Sequence, residues 1–187
     1  FNIDSYRLTV FFVSLLAPLI FYICLTQKFK NVDKTILFFI SSFILLSPYY
    51  RTSAYWGLEI IYGIIAMLAS IFFLNYTLYE NISSKLRLYF FLTLLTFFSS
   101  LCIYFDQKLL IIPLICFLKI ITSNKILKLK IFSIIFYMIL SLPYIYLIIL
   151  WGGPTIPASV EYRGVGDKLY FGNIGYLSTM IALYLFP

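Results

Sequence analysis

The side chains best suited to chemistry are concentrated in one short segment, residues 47–60, which reads SPYYRTSAYWGLEI. It lies between two long apolar runs and contains Arg51 and Glu59, in a chain of which only 11% of residues are charged. A helix that leaves a bilayer at Pro48 would place Arg51 outside the hydrocarbon. A helix that enters at Gly57 would place Glu59 just within its edge, where an acidic side chain is either paired or used for function.

Two interpretations of Glu59 stay open. An acid in the first turn of a helix interacts favourably with the helix dipole, and this role needs no ligand. Alternatively, Glu59 pairs with Arg51 or contacts a cationic or hydroxyl-bearing ligand. The neighbouring Tyr55 and Trp56 favour the second interpretation, because such rings suit contact with a sugar ring or a lipid headgroup.

A second polar segment, Asp106-Gln107-Lys108, separates a long apolar run from a short one. Three polar residues are enough for a tight hairpin at the membrane surface. Between a full-length helix and a short one they could also sink below that surface and line a cavity. All three are therefore candidate substrate-binding residues.

The longest polar segment, residues 151–172, contains the remaining candidates. It begins at Trp151 and continues with Arg163, Asp167 and Lys168, and two glycines lie between Arg163 and Asp167. The backbone amides of these glycines, together with Arg163 and Lys168, could hold a phosphate group. A solvated loop with balanced charges is the alternative.

The composition indicates a membrane protein. Of the 187 residues 63% are hydrophobic, and the mean hydropathy is +0.99, whereas soluble chains have about 45–50% apolar and about 25% charged residues. Several apolar runs approach the ~20 residues that a helix needs to cross a bilayer. We therefore predict an all-α fold, a polytopic transmembrane helical bundle that forms a single domain over residues 1–187, with an outer loop at 151–172.

The apolar runs predict about seven spans, at residues 8–25, 35–47, 57–78, 86–105, 109–121, 131–150 and 173–187. The run at 109–121 is short for a crossing, but the lysines that follow it favour one. Pro18 predicts a kink in the first span, which a membrane helix tolerates when neighbours satisfy the freed carbonyl. In the third span small residues recur at helical spacing and predict close packing on a neighbour: Gly63, Ala66, Ala69 and Ser70.

The charges separate onto two sides of the predicted bundle. Alternate loops, beginning after the first span, hold most of the 14 Lys and Arg residues, and the positive-inside rule assigns them to the cytoplasm. These residues are Lys28, Lys30, Lys34, Lys85, Arg87, Lys119, Lys125, Lys128 and Lys130. The other side holds most of the seven acids and both tryptophans. We therefore expect the functional side chains on the non-cytoplasmic side.

Several classes of function are disfavoured. The basic residues lie in short loops between spans, which argues against nucleic acid as a partner. The chain has no histidine, so a zinc site or a His-based triad has almost nothing to be built from, and we assign no metal ligand and no cofactor. No charge lies in the middle of a span, which weighs against transport. The cysteines are interpreted as small buried hydrophobes: Cys24, Cys102 and Cys116.

Together, these segments resemble a polytopic glycosyltransferase of the GT-C type, which takes its sugar from a polyprenyl phosphate. The resemblance rests on residues 49–59, with the acid at the head of the next helix, and on the break at 106–108 before a short helix containing Pro113. It rests also on the Trp151-Gly152-Gly153 loop, with Gly166-Asp167-Lys168 later in it. Asp106 stands where such enzymes often have an arginine. The motifs are most similar to those of α-1,2-glucosyltransferases that act on lipid-linked oligosaccharide, or of a distant bacterial-type relative.

The resemblance implies a polyprenyl-phosphate-linked sugar as donor and a lipid-linked or cell-envelope glycan as acceptor. Transfer would occur on the non-cytoplasmic face of a cell membrane or endoplasmic reticulum membrane. Glu59 or Asp106 would orient a sugar hydroxyl. The leaving phosphate would be neutralised by basic residues at the outer edge, because positive groups placed where charge develops lower a barrier: Arg51, Lys108, Arg163 or Lys168.

The catalytic base is not assigned to any residue of this sequence. Enzymes of this kind commonly use an acid in the first large outer loop, which would precede Phe1, because the chain looks like a fragment of a longer protein. Two other functions stay open: a transporter or flippase for lipid-linked glycans, and a membrane scaffold without a ligand. A polyprenyl-phosphate-sugar transfer assay separates the enzyme from both.

Overall fold

The computed structural model describes residues 2–79, 84–123 and 127–153. Every regular element in these ranges is a helix, which confirms the predicted all-α fold there. In chain order the helices are α1 (Ile3–Ser14), α2 (Leu16–Lys28), α3 (Lys34–Ser42), α4 (Pro48–Trp56), α5 (Ile60–Tyr79), α6 (Lys85–Phe105), α7 (Ile111–Thr122) and α8 (Leu127–Trp151). Short 3₁₀ turns precede α4 and α7, at Phe43–Leu46 and Gln107–Leu110.

Four helical stretches in the described ranges are long and apolar enough to cross a membrane, so the chain is a membrane protein built as a helical transmembrane bundle. They are Ile3–Lys28, which joins α1 and α2, then Ile60–Leu78, Lys85–Phe105 and Leu127–Trp151. The spans predicted at 35–47 and 109–121 correspond to shorter helical segments, Lys34–Leu46 and α7. The seventh predicted span, 173–187, lies outside the described residues.

The chain divides into two compact units, Phe1–Leu140 and Ser141–Pro187. Buried side chains of the first unit form two clusters. One joins α1, α4 and α5 and includes Val10, Tyr50 and Ile61. The other joins α6, α7 and the first part of α8 and includes Leu95. All three cysteines are buried, as predicted. The single domain predicted over 1–187 stays a prediction.

The first span is broken at Leu15 by a proline in the following turn. Pro18 has no N–H and cannot donate to the carbonyl of Ser14, four residues before it. α1 therefore ends at Ser14, and α2 begins after Leu15. The hydroxyl of Tyr50 donates to the Ser14 carbonyl at 2.5 Å. A neighbouring helix thus satisfies the freed carbonyl, as predicted.

The second apolar run continues into a discontinuous helix, made of α3, a 3₁₀ turn and α4. The break lies at Ser47, whose side chain caps the new helix by accepting the N–H of Tyr50 at 3.4 Å. Pro48 occupies the first helical position, where its missing N–H costs nothing. α4 ends at Gly57, which has φ 69°, a left-handed conformation that glycine adopts without steric cost. Local sequence therefore explains both ends of α4.

α5 and α6 run antiparallel, as their aromatic contacts show. Tyr62 stacks on Phe105 with ring centroids 5.6 Å apart. Near the other end of α5, Tyr76 contacts Phe91 with centroids 4.7 Å apart. The start of α5 and the end of α6 therefore lie at one end of the first unit, which we call the outer end.

The close packing predicted for the small residues of α5 is confirmed. A Cβ atom added at Gly63 would lie only 2.7 Å from Leu109 Cδ1 and 3.3 Å from Phe105 Cβ. The remaining small residues are at most 9% exposed: Ala66, Ala69 and Ser70. The absence of a side chain at Gly63 therefore allows the segment after α6 to approach α5.

Candidate functional site

Helix α4 is amphipathic and packs along α1. Its buried positions follow the i, i+3, i+4, i+7 spacing of one helical face: Tyr50, Ser53, Ala54 and Gly57. Tyr50 reaches Ser14, whereas a Cβ atom at Gly57 would lie 3.2 Å from Tyr6 and 3.4 Å from Arg7. α4 is therefore antiparallel to α1, and its last residues lie at the outer end.

The opposite face of α4 forms an open groove of ≈ 280 Å³. The residues that line it are Pro48, Arg51, Thr52, Tyr55 and Trp56. One cationic side chain, two hydroxyls and two aromatic rings therefore border the same space. Arg51 can bind an anion with two parallel hydrogen bonds, and the rings can contact an apolar chain or the face of a sugar.

Trp56 is held on two sides. The guanidinium carbon of Arg7 in α1 lies 5.1 Å from the centroid of the Trp56 ring, within the range of a cation–π interaction. Tyr55 packs edge-on against the same ring, with centroids 5.4 Å apart and planes at 84°. Arg7 in turn lies 4.0 Å from Asp4, one turn earlier in α1.

Arg51 lies farther from the outer end than Trp56 does. Tyr50, its neighbour in sequence, contacts Ser14, whereas Trp56 contacts Arg7, about seven residues or ~10 Å nearer the start of α1. α4 folds back along α1, so Arg51 lies alongside the first span. Its predicted location outside the hydrocarbon stays a prediction.

The second predicted cluster, residues 106–108, lies at the outer end together with Glu59. Tyr62 is less than one helical turn from Glu59, and it stacks on Phe105, which directly precedes the cluster. The contact between Gly63 and Leu109 joins the same two segments. The structure therefore brings Glu59, Asp106, Gln107 and Lys108 to one end of the first unit.

Asp106 has a structural role in this arrangement. Its carboxylate accepts the backbone N–H of Lys108 at 2.9 Å and so caps the 3₁₀ turn before α7. Glu59 is exposed, and among the described residues it forms no ion pair with Arg51. The ion pair between Glu59 and Arg51 that the sequence allowed is therefore not formed.

For the other predicted site residues, no position relative to this cluster is described. Trp151 is the last residue of α8 and belongs to the second compact unit. Arg163, Asp167 and Lys168 lie outside the described residues, so the phosphate site predicted around them stays a prediction.

Sequence reasoning missed Arg7. The available signal was an arginine in the first turns of an apolar helix, on the same predicted side as Arg51. Its partner Trp56 is distant in sequence, so the signal did not identify the contact.

In the parts of the chain that the structure describes, no group of three or more His, Cys, Asp or Glu side chains could hold a metal ion. Comparison of the chain with protein-family models, with curated proteins and with solved structures finds no match in any of the three.

Proposed function

We propose that the chain is part or all of an integral-membrane, multi-pass glycosyltransferase. It transfers a sugar from a polyprenyl-phosphate donor to a lipid-linked or cell-envelope glycan on the non-cytoplasmic face. The observation that carries the proposal is the α4 groove, where Arg51 borders the same space as Tyr55 and Trp56. A polyprenyl-phosphate sugar has an apolar chain, a phosphate and a sugar ring. The groove offers a contact for each, on the surface of a membrane bundle.

The position of Arg51 supports an anionic ligand. A guanidinium beside a transmembrane helix must reach the interface or find a negative partner. In the described ranges the ion pair is between Arg7 and Asp4, and no acid pairs with Arg51. A lipid phosphate meets this need, because the planar guanidinium matches two phosphate oxygens.

Transfer breaks the bond between the anomeric carbon of the sugar and the donor phosphate oxygen, and that oxygen keeps the electron pair. The acceptor hydroxyl oxygen forms the new bond to the anomeric carbon, and its proton passes to a catalytic base that is not assigned to any residue of this sequence. Arg51 then stabilises the negative charge that develops on the leaving phosphate. Lys108, which lies at the outer end with Glu59, is the second candidate for this role. Glu59, exposed at that end, is the residue available to orient an acceptor hydroxyl.

The test is transfer of radiolabelled sugar from a polyprenyl phosphate by the full-length protein in liposomes. We expect Arg51→Ala to lower kcat/KM by about 10²- to 10³-fold, as loss of a transition-state charge contact does. Lys85→Ala, which removes an exposed cation at the start of α6, is the matched control and should keep wild-type activity. Equal turnover of wild type and Arg51→Ala contradicts the proposal. Movement of a lipid-linked glycan across the bilayer without transfer would favour the flippase alternative.

A further inference from the structure

The contact between α1 and the end of α4 has a feature that packing alone does not require. The interface places a charged side chain, Arg7, over the ring of Trp56 at 5.1 Å from its centroid. Trp56 also lines the groove that contains Arg51. Trp56 therefore belongs to both the α1–α4 interface and the groove, because its ring contacts Arg7 of α1 and also lines the groove.

Gly57 makes this approach possible. It is the residue after Trp56, and its positive φ of 69° ends α4. Its Cα faces α1 so closely that an added Cβ would lie 3.4 Å from Arg7 Cγ. The stem of Arg7 thus passes over Gly57, and its guanidinium continues to the neighbouring ring.

We infer that Arg7 is a positioning residue of the α4 groove: from α1 it holds the Trp56 ring in the orientation that a ligand of Arg51 meets. The identity of that ligand, a polyprenyl phosphate, rests on the proposed function, whereas the hold of Arg7 on Trp56 does not. Arg7 is absent from the groove lining, so it acts through Trp56.

The physical basis is preorganisation. The Trp56 side chain is 53% exposed, and an exposed ring without fixed neighbours must lose rotamer freedom when a ligand packs on it. Arg7 and Tyr55 restrict the ring before the ligand arrives. The strength of an exposed cation–π contact corresponds to about a two- to five-fold change in affinity, and we expect an effect of that size.

The first measurement needs no ligand. Trp56 and Trp151 are the two tryptophans of this sequence, so Trp151→Phe leaves Trp56 as its sole tryptophan, and excitation at the red edge of the absorption band selects its emission over that of the tyrosines. In that background we expect Arg7→Ala to increase acrylamide quenching of Trp56, and Arg7→Lys to restore part of the protection. Lys85→Ala is the matched control, because it removes an exposed cation at the start of α6, at the opposite end of α6 from the outer end. Unchanged quenching in Arg7→Ala overturns the inference.

The second measurement is the affinity for a polyprenyl phosphate, titrated into the same variants and followed by Trp56 emission. We expect Arg7→Ala to weaken binding two- to five-fold, Arg7→Lys to weaken it less, and Arg51→Ala to weaken it most. If Arg7→Ala does not fold, Arg7→Gln removes the charge and keeps most of the side chain. If Arg7→Ala increases the quenching of Trp56 but leaves the affinity for the polyprenyl phosphate unchanged, the inference is overturned.

Failure of the proposed function gives a different result. If the wild-type protein binds no polyprenyl phosphate, the proposed donor is wrong and the ligand part of the inference falls with it. The quenching of Trp56 still decides whether Arg7 holds the ring, because that measurement is made without a ligand.

Discussion

The hydroxyl of Tyr50 donates a hydrogen bond to the carbonyl of Ser14, which lies four residues before Pro18. Pro18 has no backbone N–H to donate to this carbonyl, and the Tyr50 hydroxyl, from another helix, donates in its place. The bond therefore fixes α4 on α1 at the level of the break in the first span. It also sets the position of Arg51, the next residue in α4.

Removal of this hydroxyl should destabilise the protein only while Pro18 is present. We expect Tyr50→Phe to lower the free energy of unfolding by about 1 kcal/mol, as for other hydrogen bonds between membrane helices. Pro18→Ala restores an N–H that can donate to the Ser14 carbonyl, so Tyr50→Phe should cost less in that background. Reversible unfolding in mixed micelles of the four proteins measures this coupling. Equal losses in both backgrounds would contradict the proposed link.

Sequence reasoning predicted the freed carbonyl but not its donor. A proline within an apolar run is a local signal, and its consequence for the residue four positions earlier follows from helix geometry. The choice of Tyr50 as donor depends on the packing of α4 along α1, and no periodicity joins two such distant positions. The same reason explains why Arg7 was missed as the partner of Trp56.

The segment 47–57 shows where local signals were misread. Ser47, Pro48 and Gly57 are start and stop signals of a helix, yet the segment was interpreted as an edge between spans. The face that α4 packs against α1 consists of small, polar and aromatic residues, so it gives no clear apolar periodicity in the sequence. The gathering of Glu59 and residues 106–108 at one end, by contrast, follows from counting spans, because alternate loops lie on the same side of a bundle.

Two glycines with the same backbone conformation offer a matched comparison. Gly57 has φ 69° and Gly152 has φ 68°, but only Gly57 is crowded, since nothing lies within 4 Å of a Cβ atom at Gly152. We expect Gly152→Ala to cost about 1–2 kcal/mol for the left-handed conformation alone. Gly57→Ala should cost more, because its methyl group would press on Tyr6 and Arg7. Unfolding free energies measure both, and equal costs would show that α1 does not press on Gly57.

Gly63 should tolerate a side chain poorly. We expect Gly63→Ala to cost about 1 kcal/mol through overpacking, because its methyl group would lie 3.3 Å from Phe105 Cβ and would displace Leu109 Cδ1, which is 2.7 Å away. Leu109→Ala in the same protein should recover part of the loss. Gly153→Ala is the control, since nothing lies within 4 Å of its Cβ position. Thermal unfolding of the purified variants provides the measurement, and a neutral Gly63→Ala would contradict the close approach.

Asp33 should make stability depend on pH in the acid range. Its side chain accepts the N–H of Thr35 at 2.6 Å and caps α3, and this hydrogen bond lowers its pKa from the ordinary value of 3.8. Because the pKa is lower in the folded state than in the unfolded chain, the stabilisation is complete above the ordinary value. It is lost as the pH falls through the lowered pKa.

Two variants separate charge from capping at this position. Asp33→Asn keeps a capping oxygen and should lose this part of the acid dependence of Tm. Asp33→Ala should lower Tm at neutral pH as well, because α3 then begins without a side-chain cap. An acid dependence in Asp33→Asn equal to that of the wild type would count against the role of the Asp33 charge.

The break at Ser47 has a consequence for biogenesis. Lys34–Leu46 is only about 20 Å long at ~1.5 Å per residue, less than the ~30 Å of hydrocarbon that a span must cross. We expect so short a segment to need a partner in order to enter lipid, and the first span, Ile3–Lys28, precedes it directly in the chain. The two would then insert as a helical hairpin, with the first span as the intramolecular insertion partner of the segment that leads into α4.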